Sequence, residues 1–138
     1  MTVGDDVFII GGQDLSVYKL SGGNWSEFSN LQTPRYHHMC SVLNGTIYVM
    51  GGFDGVNCLT SVELLTPGSN EWVAGPTLRG HVAWGQPLLH NNTVFVMAGQ
   101  GTYGISNTDI YRLNGDNWEI EEVSLSSPGR SVFPAPLL

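Results

Sequence analysis

The densest set of metal-competent side chains in the sequence is Tyr36-His37-His38 with Cys40 close behind. Imidazole and phenolate are ligands that copper takes, provided they converge from several loops. Tyr36 to Cys40 fall instead on one expected strand, where successive residues point to opposite faces, so only some of them can meet. A second set is cationic. Arg35, Arg79 and Arg130 are three of the five Lys and Arg residues in a chain of net charge -7. Gathered on one face, they would focus a positive field on the carboxylates of a peptide or an acidic sugar. Alternatively, a recurring arginine is architectural and donates to loop carbonyls. No nucleophile–base pair and no phosphate loop is visible, and the glycine pairs end strands without a following helix, so they are not dinucleotide motifs. The expectation is no catalytic residue, no metal, no cofactor and no enzyme.

Composition narrows the partners. Charged residues make up 12% of the 138, and acidic ones outnumber basic ones by 12 to 5, which disfavours general nucleic-acid binding, because that needs clustered cations. No apolar run approaches the roughly 20 residues of a membrane-spanning helix, and residues 1 to 12 lack the basic and long apolar regions of a signal peptide. Cys40 and Cys58 are too few for a disulfide framework or a cysteine-rich zinc site, and two free thiols are expected. Asn24-Trp25-Ser26, Asn44-Gly45-Thr46 and Asn91-Asn92-Thr93 are sequons, but they lie in expected turns that favour Asn in any case.

Eighteen glycines and pairs such as Asn44-Gly45 argue for strands joined by tight turns. The strands repeat. Val7-Phe8-Ile9-Ile10-Gly11-Gly12, Ile47-Tyr48-Val49-Met50-Gly51-Gly52 and Val94-Phe95-Val96-Met97-Ala98-Gly99 are three versions of one segment, with a period of about 40–50 residues. Each is followed by a second strand, at Val17-Tyr18-Lys19-Leu20, Val62-Glu63-Leu64-Leu65 and Ile110-Tyr111-Arg112-Leu113, then by a tryptophan, Trp25, Trp72 or Trp118. A loop then leads to Arg35, Arg79 or Arg130. Packing between neighbouring repeats accounts for the three tryptophans. Trp84 does not repeat, and is a candidate for lining a channel mouth.

With arginine, an aromatic strand closing on Gly-Gly, and tryptophan recurring in that order, the chain resembles the kelch repeat throughout its length. The resemblance implies an all-β fold of four-stranded antiparallel propeller blades, lettered A to D from the channel outward, three to the chain. The expected limits are about 3–30 plus a closing strand A at about 131–138 for blade 1, about 35–76 for blade 2 and about 79–126 for blade 3. Pro87, Pro134 and Pro136 fall on strand A, whose inner edge tolerates a missing N–H. Joined to Val3, Leu138 continues the register of Pro87-Leu88-Leu89. Only Met1 and Thr2 fall outside it. Three blades cannot close on themselves, since propellers have at least about four. The expectation is a homodimer, closed by exchange of strand A into a six-bladed ring, with a piece of a longer tandem-repeat protein or a half-propeller, natural or engineered, as the alternative.

Kelch propellers that bind peptides generally use the D-to-A and B-to-C loops of one face. Matched position by position, those contacts are Tyr36, Gly80 and Ser131, directly after the opening arginines Arg35, Arg79 and Arg130, and Gln13, Phe53 and Gln100 after the glycine pairs, with Cys58 and Tyr103 in the same B-to-C loops; His37 and Trp84 are further candidates on that face. The loop from Gly12 to Val17 is shorter than that from Gly52 to Val62, which leaves the blade 1 side of the face low. The function expected is a protein-interaction or scaffold module binding an acidic or mixed peptide. A carbohydrate-binding or sialic-acid mutarotase-like propeller is the alternative, and a half-propeller that assembles with itself and takes no ligand is a third. A copper site like that of galactose oxidase, itself kelch-bladed, is disfavoured by the single-strand placement of Tyr36 to Cys40.

Overall fold

The computed structural model describes residues 1–11, 15–100 and 106–121. Within them the backbone forms three four-stranded antiparallel sheets, and no helix occurs among the described residues. The first sheet holds β1 (Thr2–Val3), β2 (Asp6–Ile10), β3 (Val17–Ser21) and β4 (Asn24–Glu27), side by side in chain order. The second holds β5 (Met39–Leu43), β6 (Thr46–Met50), β7 (Val62–Leu65) and β8 (Val73–Ala74), and the third β9 (Gln86–His90), β10 (Thr93–Gln100), β11 (Ser106–Asn114) and β12 (Asn117–Ile120). These are the three blades. Strands β5 and β9 lie against one another, as inner strands of adjacent blades must.

Local chemistry sets the hairpins. Asn44 and Gly45 both have positive φ, 52° and 78°, and Asn91 and Asn92 repeat this with 48° and 60°. That is the two-residue turn whose twist suits an antiparallel pair, and it favours Asn and Gly. It pins Leu43 opposite Thr46 and His90 opposite Thr93. The same device corrects the expected start of blade 1. Gly4 has a φ of 58°, and the chain before it folds back so that Thr2 pairs with Val7 and Val3 with Asp6. The Met1 ammonium donates to the Phe8 carbonyl at 2.8 Å, and the Phe8 N–H to the Met1 carbonyl at 2.7 Å. Met1 and Thr2 are therefore in register, on the edge expected for the end of residues 131–138, which lie outside the described residues.

The sheets stack through two apolar seams. Phe8, Val17 and Leu31 of blade 1 meet Ile47, Val49, Leu65 and Trp72 of blade 2. Met50, Val62 and Leu78 of blade 2 meet Val94, Val96, Tyr111 and Trp118 of blade 3. Burying each such side chain contributes about 1.5–3 kcal/mol. Each seam also satisfies an indole, since Trp72 donates to the Ser29 carbonyl and Trp118 to the Pro76 carbonyl, both at 2.8 Å. Trp25, expected to behave likewise, is half exposed.

Candidate functional site

Blades 2 and 3 present their D-to-A linkers and the B-to-C loop of blade 2 at one end, and the expected contact residues are distributed between its surface and its interior. Arg35 is interior. Its side chain is 0% exposed, and all five N–H groups are used. Nε and one Nη2 hydrogen reach Glu63 Oε2 at 3.1 and 2.9 Å, the other goes to Ser61 Oγ at 3.0 Å, and Nη1 donates to the carbonyls of Gly51 at 2.8 Å and Ser61 at 2.9 Å. Glu63 in turn accepts from the backbone N–H groups of Gln32 and Thr33. A buried charge needs this degree of satisfaction. Arg35 thus ties the D-to-A linker to β7 and to the Gly-Gly pair, and it has no donor left for a ligand.

Arg79 does not occupy the corresponding place in blade 3. Leu31 donates to Leu15 and Leu78 to Thr60 in the same manner, and the turns Asn44-Gly45 and Asn91-Asn92 fix the same count from the other side. By that register Arg35 corresponds to Val82, and Arg79 to Gln32. Arg79 is exposed, with no hydrogen bond or ion pair among the described residues. Gln13, Arg130, Ser131 and Tyr103 lie outside the described residues, so a convergence of three arginines on this face has no support from the described part. Cys58, expected as a loop contact, is 4% exposed. Its chain pairs back on Phe53, which turns the side chain inward, and burial raises its pKa.

The surface itself is aromatic. Tyr36 and Phe53 exchange backbone hydrogen bonds at 2.8 Å in both directions, joining the D-to-A linker of blade 2 to its own B-to-C loop. One residue on, His37 has a φ of 52°, and its register partner in blade 3, Trp84, a φ of 56°. The left-handed conformation costs a side-chain-bearing residue about 1–2 kcal/mol. The two rings stack, with centroids 4.3 Å apart and planes inclined by 22°, while the Trp84 N–H donates to the His37 carbonyl at 3.0 Å. Phe53 lies 6.1 Å from Trp84 and 6.4 Å from Tyr36. Four of the expected residues, Tyr36, His37, Phe53 and Trp84, are thereby brought together. Gly51 lets the linker come this close, because its φ is 60° and a Cβ there would sit 2.4 Å from the Val82 carbonyl oxygen.

His38 and Cys40, the other members of the metal-competent set, lie apart from this surface. The His38 ring packs against Gly11 of blade 1, and burial lowers its pKa. Cys40 sits in the seam between blades 1 and 2, where burial pushes its thiol up to about 12. Neither cysteine is in a disulfide. Among the described residues no three His, Cys, Asp or Glu side chains gather so as to hold a metal. Sequence reasoning missed His81, whose Nδ1 lies 2.8 Å from the Cys58 carbonyl, and Asp54, whose Oδ1 accepts the N–H groups of Val56 and Asn57 at 2.8 Å each and shapes the B-to-C loop. The pair Asp54-Gly55 is a turn signal that points to the second of these.

Residues 34–79 match the family model described as Kelch motif. Kelch-like protein 6 of Homo sapiens is 32% identical, over 72% of this chain and 17% of that protein. Kelch repeat protein M-T8 of Myxoma virus is 28% identical, over 78% and 22%, and Beta-scruin of Limulus polyphemus 40%, over 41% and 6%. The chain thus spans less than a quarter of the length of each of these. The solved structure of YjhT superposes with a TM-score of 0.74 at 16% identity, covering 85% of this chain and 48% of that one.

Proposed function

This chain belongs to the kelch-repeat propellers, and from that premise we propose that it is a protein-interaction module whose contact surface is Tyr36, His37, Phe53 and Trp84. The observation that carries the reading is the stacked pair His37 and Trp84. Two aromatic residues at equivalent places in adjacent blades are both held in the left-handed region, and strain of that kind collects at binding sites. Rigid aromatic rings supply much contact area for little lost side-chain freedom, which is why they dominate the energetics of protein interfaces. The partner proposed is a mixed peptide with an apolar or aromatic anchor for the ring surface. Arg79, exposed on a D-to-A linker, is offered to a carboxylate of the same peptide, and Arg35 acts only by holding the linker in shape.

A selection from a random peptide library on the immobilised protein tests this. Enriched peptides are expected to lose affinity for Trp84→Ala by about tenfold or more, as anchor residues do, and to bind Val73→Ser, altered on the outer strand, as they bind the parent. Equal binding to parent and Trp84→Ala defeats the reading. The same rings would suit the flat face of a sugar, so titration with sialic acid is the comparison arm.

A further inference from the structure

The two seams differ at the end that carries the A-to-B and C-to-D turns, opposite the aromatic surface. In the seam of blades 2 and 3, Tyr48 and Leu64 of blade 2 pack partly buried against the apolar core. The strand registers make Phe8 and Lys19 their counterparts in blade 1. Asp6, two residues before Phe8, stands where Thr46 precedes Tyr48. Blade 1 thus sets a charged pair where blade 2 has a leucine and a threonine. Lys19 Nζ lies 3.1 Å from Asp6 Oδ2, and the two side chains are 28% and 32% exposed. The ammonium also stands 5.7 Å from the centroids of both the Phe8 and the Phe28 ring, which meet edge to face. Hydrogen bonds from Ser21 and Lys19 hold the Asp6 carboxyl below its ordinary 3.8.

Blade 2 supplies the facing wall. Strands C and D are joined by Gly22-Gly23 in blade 1 and by Gly115-Asp116 in blade 3, whereas in blade 2 the connection runs from Thr66 to Trp72. That longer loop has a fixed shape. The Ser69 N–H donates to the Thr66 carbonyl at 3.1 Å, and Ser69 Oγ accepts from the Glu71 N–H at 3.1 Å. Pro67 rests on the A-to-B turn, where a Cβ on Gly45 would come within 3.0 Å of its ring. Between this loop and the ion pair lies a cavity of about 150 Å³, lined also by Phe28, Ile47 and Leu65. Protein interiors leave few voids larger than a water molecule, and a largely apolar hollow with a few converging polar groups is the usual form of a small-molecule site.

The geometry points to this cavity as a site for a free α-amino acid with an apolar side chain. The side chain enters among Phe28, Ile47 and Leu65, the carboxylate meets the Lys19 ammonium, and the ammonium meets the Asp6 carboxylate. Volume, charge and rigidity select that class. A cavity of about 150 Å³ admits a benzene ring, so the side chain of leucine or phenylalanine fits and an oligosaccharide or a nucleotide does not. One cation and one anion side by side match a zwitterion. An anion or a cation alone would face a like charge from one member of the pair. Parting Asp6 from Lys19 costs little, because a partly exposed ion pair contributes little to stability. The loop from Thr66 is held in shape before a ligand arrives, which lowers the ordering cost of binding. The site shares no residue with the aromatic surface and does not rest on the function proposed above.

Titration of the nitrogen-labelled chain with L-leucine and L-phenylalanine, followed by amide chemical shifts, tests this. Saturable shifts are expected at Lys19 and from Leu65 to Asn70, with Phe53 and Trp84 unmoved. Glycine carries both charges and no side chain, while N-acetyl-leucine and leucinamide each lack one charge. All three are expected to bind about tenfold or more weakly than leucine, the loss that follows one missing charged hydrogen bond or the apolar contact. Lys19→Met and Asp6→Asn keep the bulk of the side chains and are expected to weaken leucine by a similar factor, whereas Trp84→Ala leaves its affinity unchanged. Should either variant lose the dispersed spectrum of the fold, the ligand series on the parent chain decides. The proposal is overturned by the absence of saturable shifts with both amino acids, by N-acetyl-leucine or leucinamide binding as well as leucine, which would mark a site for a peptide end, or by folded variants that bind as the parent does.

Discussion

Blades 2 and 3 fill one structural position with opposite chemistry. Between the D-to-A linker and strand C, blade 2 buries the Arg35–Glu63 ion pair at 2.9 Å, while blade 3 has Val82 and Tyr111 at the same places, equally buried. Both linkers are tied to the same Gly51-Gly52 pair, from opposite sides. Arg35 donates to the Gly51 carbonyl of its own blade, and the blade 3 linker meets the pair from the next blade through the Val82 carbonyl, which accepts from the Gly52 N–H at 2.8 Å. The positions that blade 2 fills with a buried ion pair, blade 3 fills with buried apolar and aromatic side chains. A recurring arginine in such a repeat is no guide to where a ligand sits.

Breaking one half of the ion pair gives the largest effect expected. Arg35→Ala or Glu63→Ala leaves an uncompensated buried charge, and about 3–5 kcal/mol should be lost in urea unfolding. The double change Arg35→Val with Glu63→Tyr, which installs the blade 3 solution, should recover most of that loss, since a buried pair replaced by packed apolar groups is often neutral. A double variant no more stable than the singles would mean that the blades are not interchangeable here.

The seams give the next contrast. Trp72→Phe removes the donor to the part-buried Ser29 carbonyl, so about 1 kcal/mol should go. Trp25→Phe should stay within about 0.5 kcal/mol of the parent, as exposed substitutions do. Equal effects would contradict the difference in burial between the two indoles.

The smallest effect separates the two seams by pH. His38 packs at the seam of blades 1 and 2, and its register counterpart in blade 3 is Gly85. Burial holds the His38 pKa below its ordinary 6.5, so the folded state prefers the neutral ring. Stability is then present above about 6.5 and falls as pH drops through and below it. Denaturation midpoints at about pH 7 and about pH 5 should converge in His38→Gln and differ in the parent. An unchanged pH dependence in that variant removes His38 as the cause.

The blades were legible because their signals are local. The Ile47-Tyr48-Val49-Met50 segment, the Asn44-Gly45 turn and the tryptophans Trp72 and Trp118 survive as strand, turn and seam, whereas Trp25 is half exposed. The aromatic surface was legible in part, since Tyr36, His37, Phe53 and Trp84 were each singled out on different grounds. That His37 stacks on Trp84 was not, because the contact joins two blades. The misplacement of Arg79 has a specific origin. Arginine was matched to arginine, whereas counting back from the turns at Asn44-Gly45 and Asn91-Asn92 aligns Arg35 with Val82. Similarly, one carboxylate inside Val62-Glu63-Leu64-Leu65 was a signal for a buried partner, but sequence could not say that the partner is Arg35.

Among the described residues the edge of β2 is covered only from Asp6 to Phe8. Met1 to Val3 cover Asp6 to Phe8, so any residues fused ahead of Met1 are directed along Ile9 and Ile10 as a continuation of the same strand. A purification tag placed there becomes part of the sheet instead of trailing from it. An alternating apolar leader should be captured, and a proline- or charge-rich one should fray the first hairpin. For grafting an epitope, that terminus is a socket with a defined register.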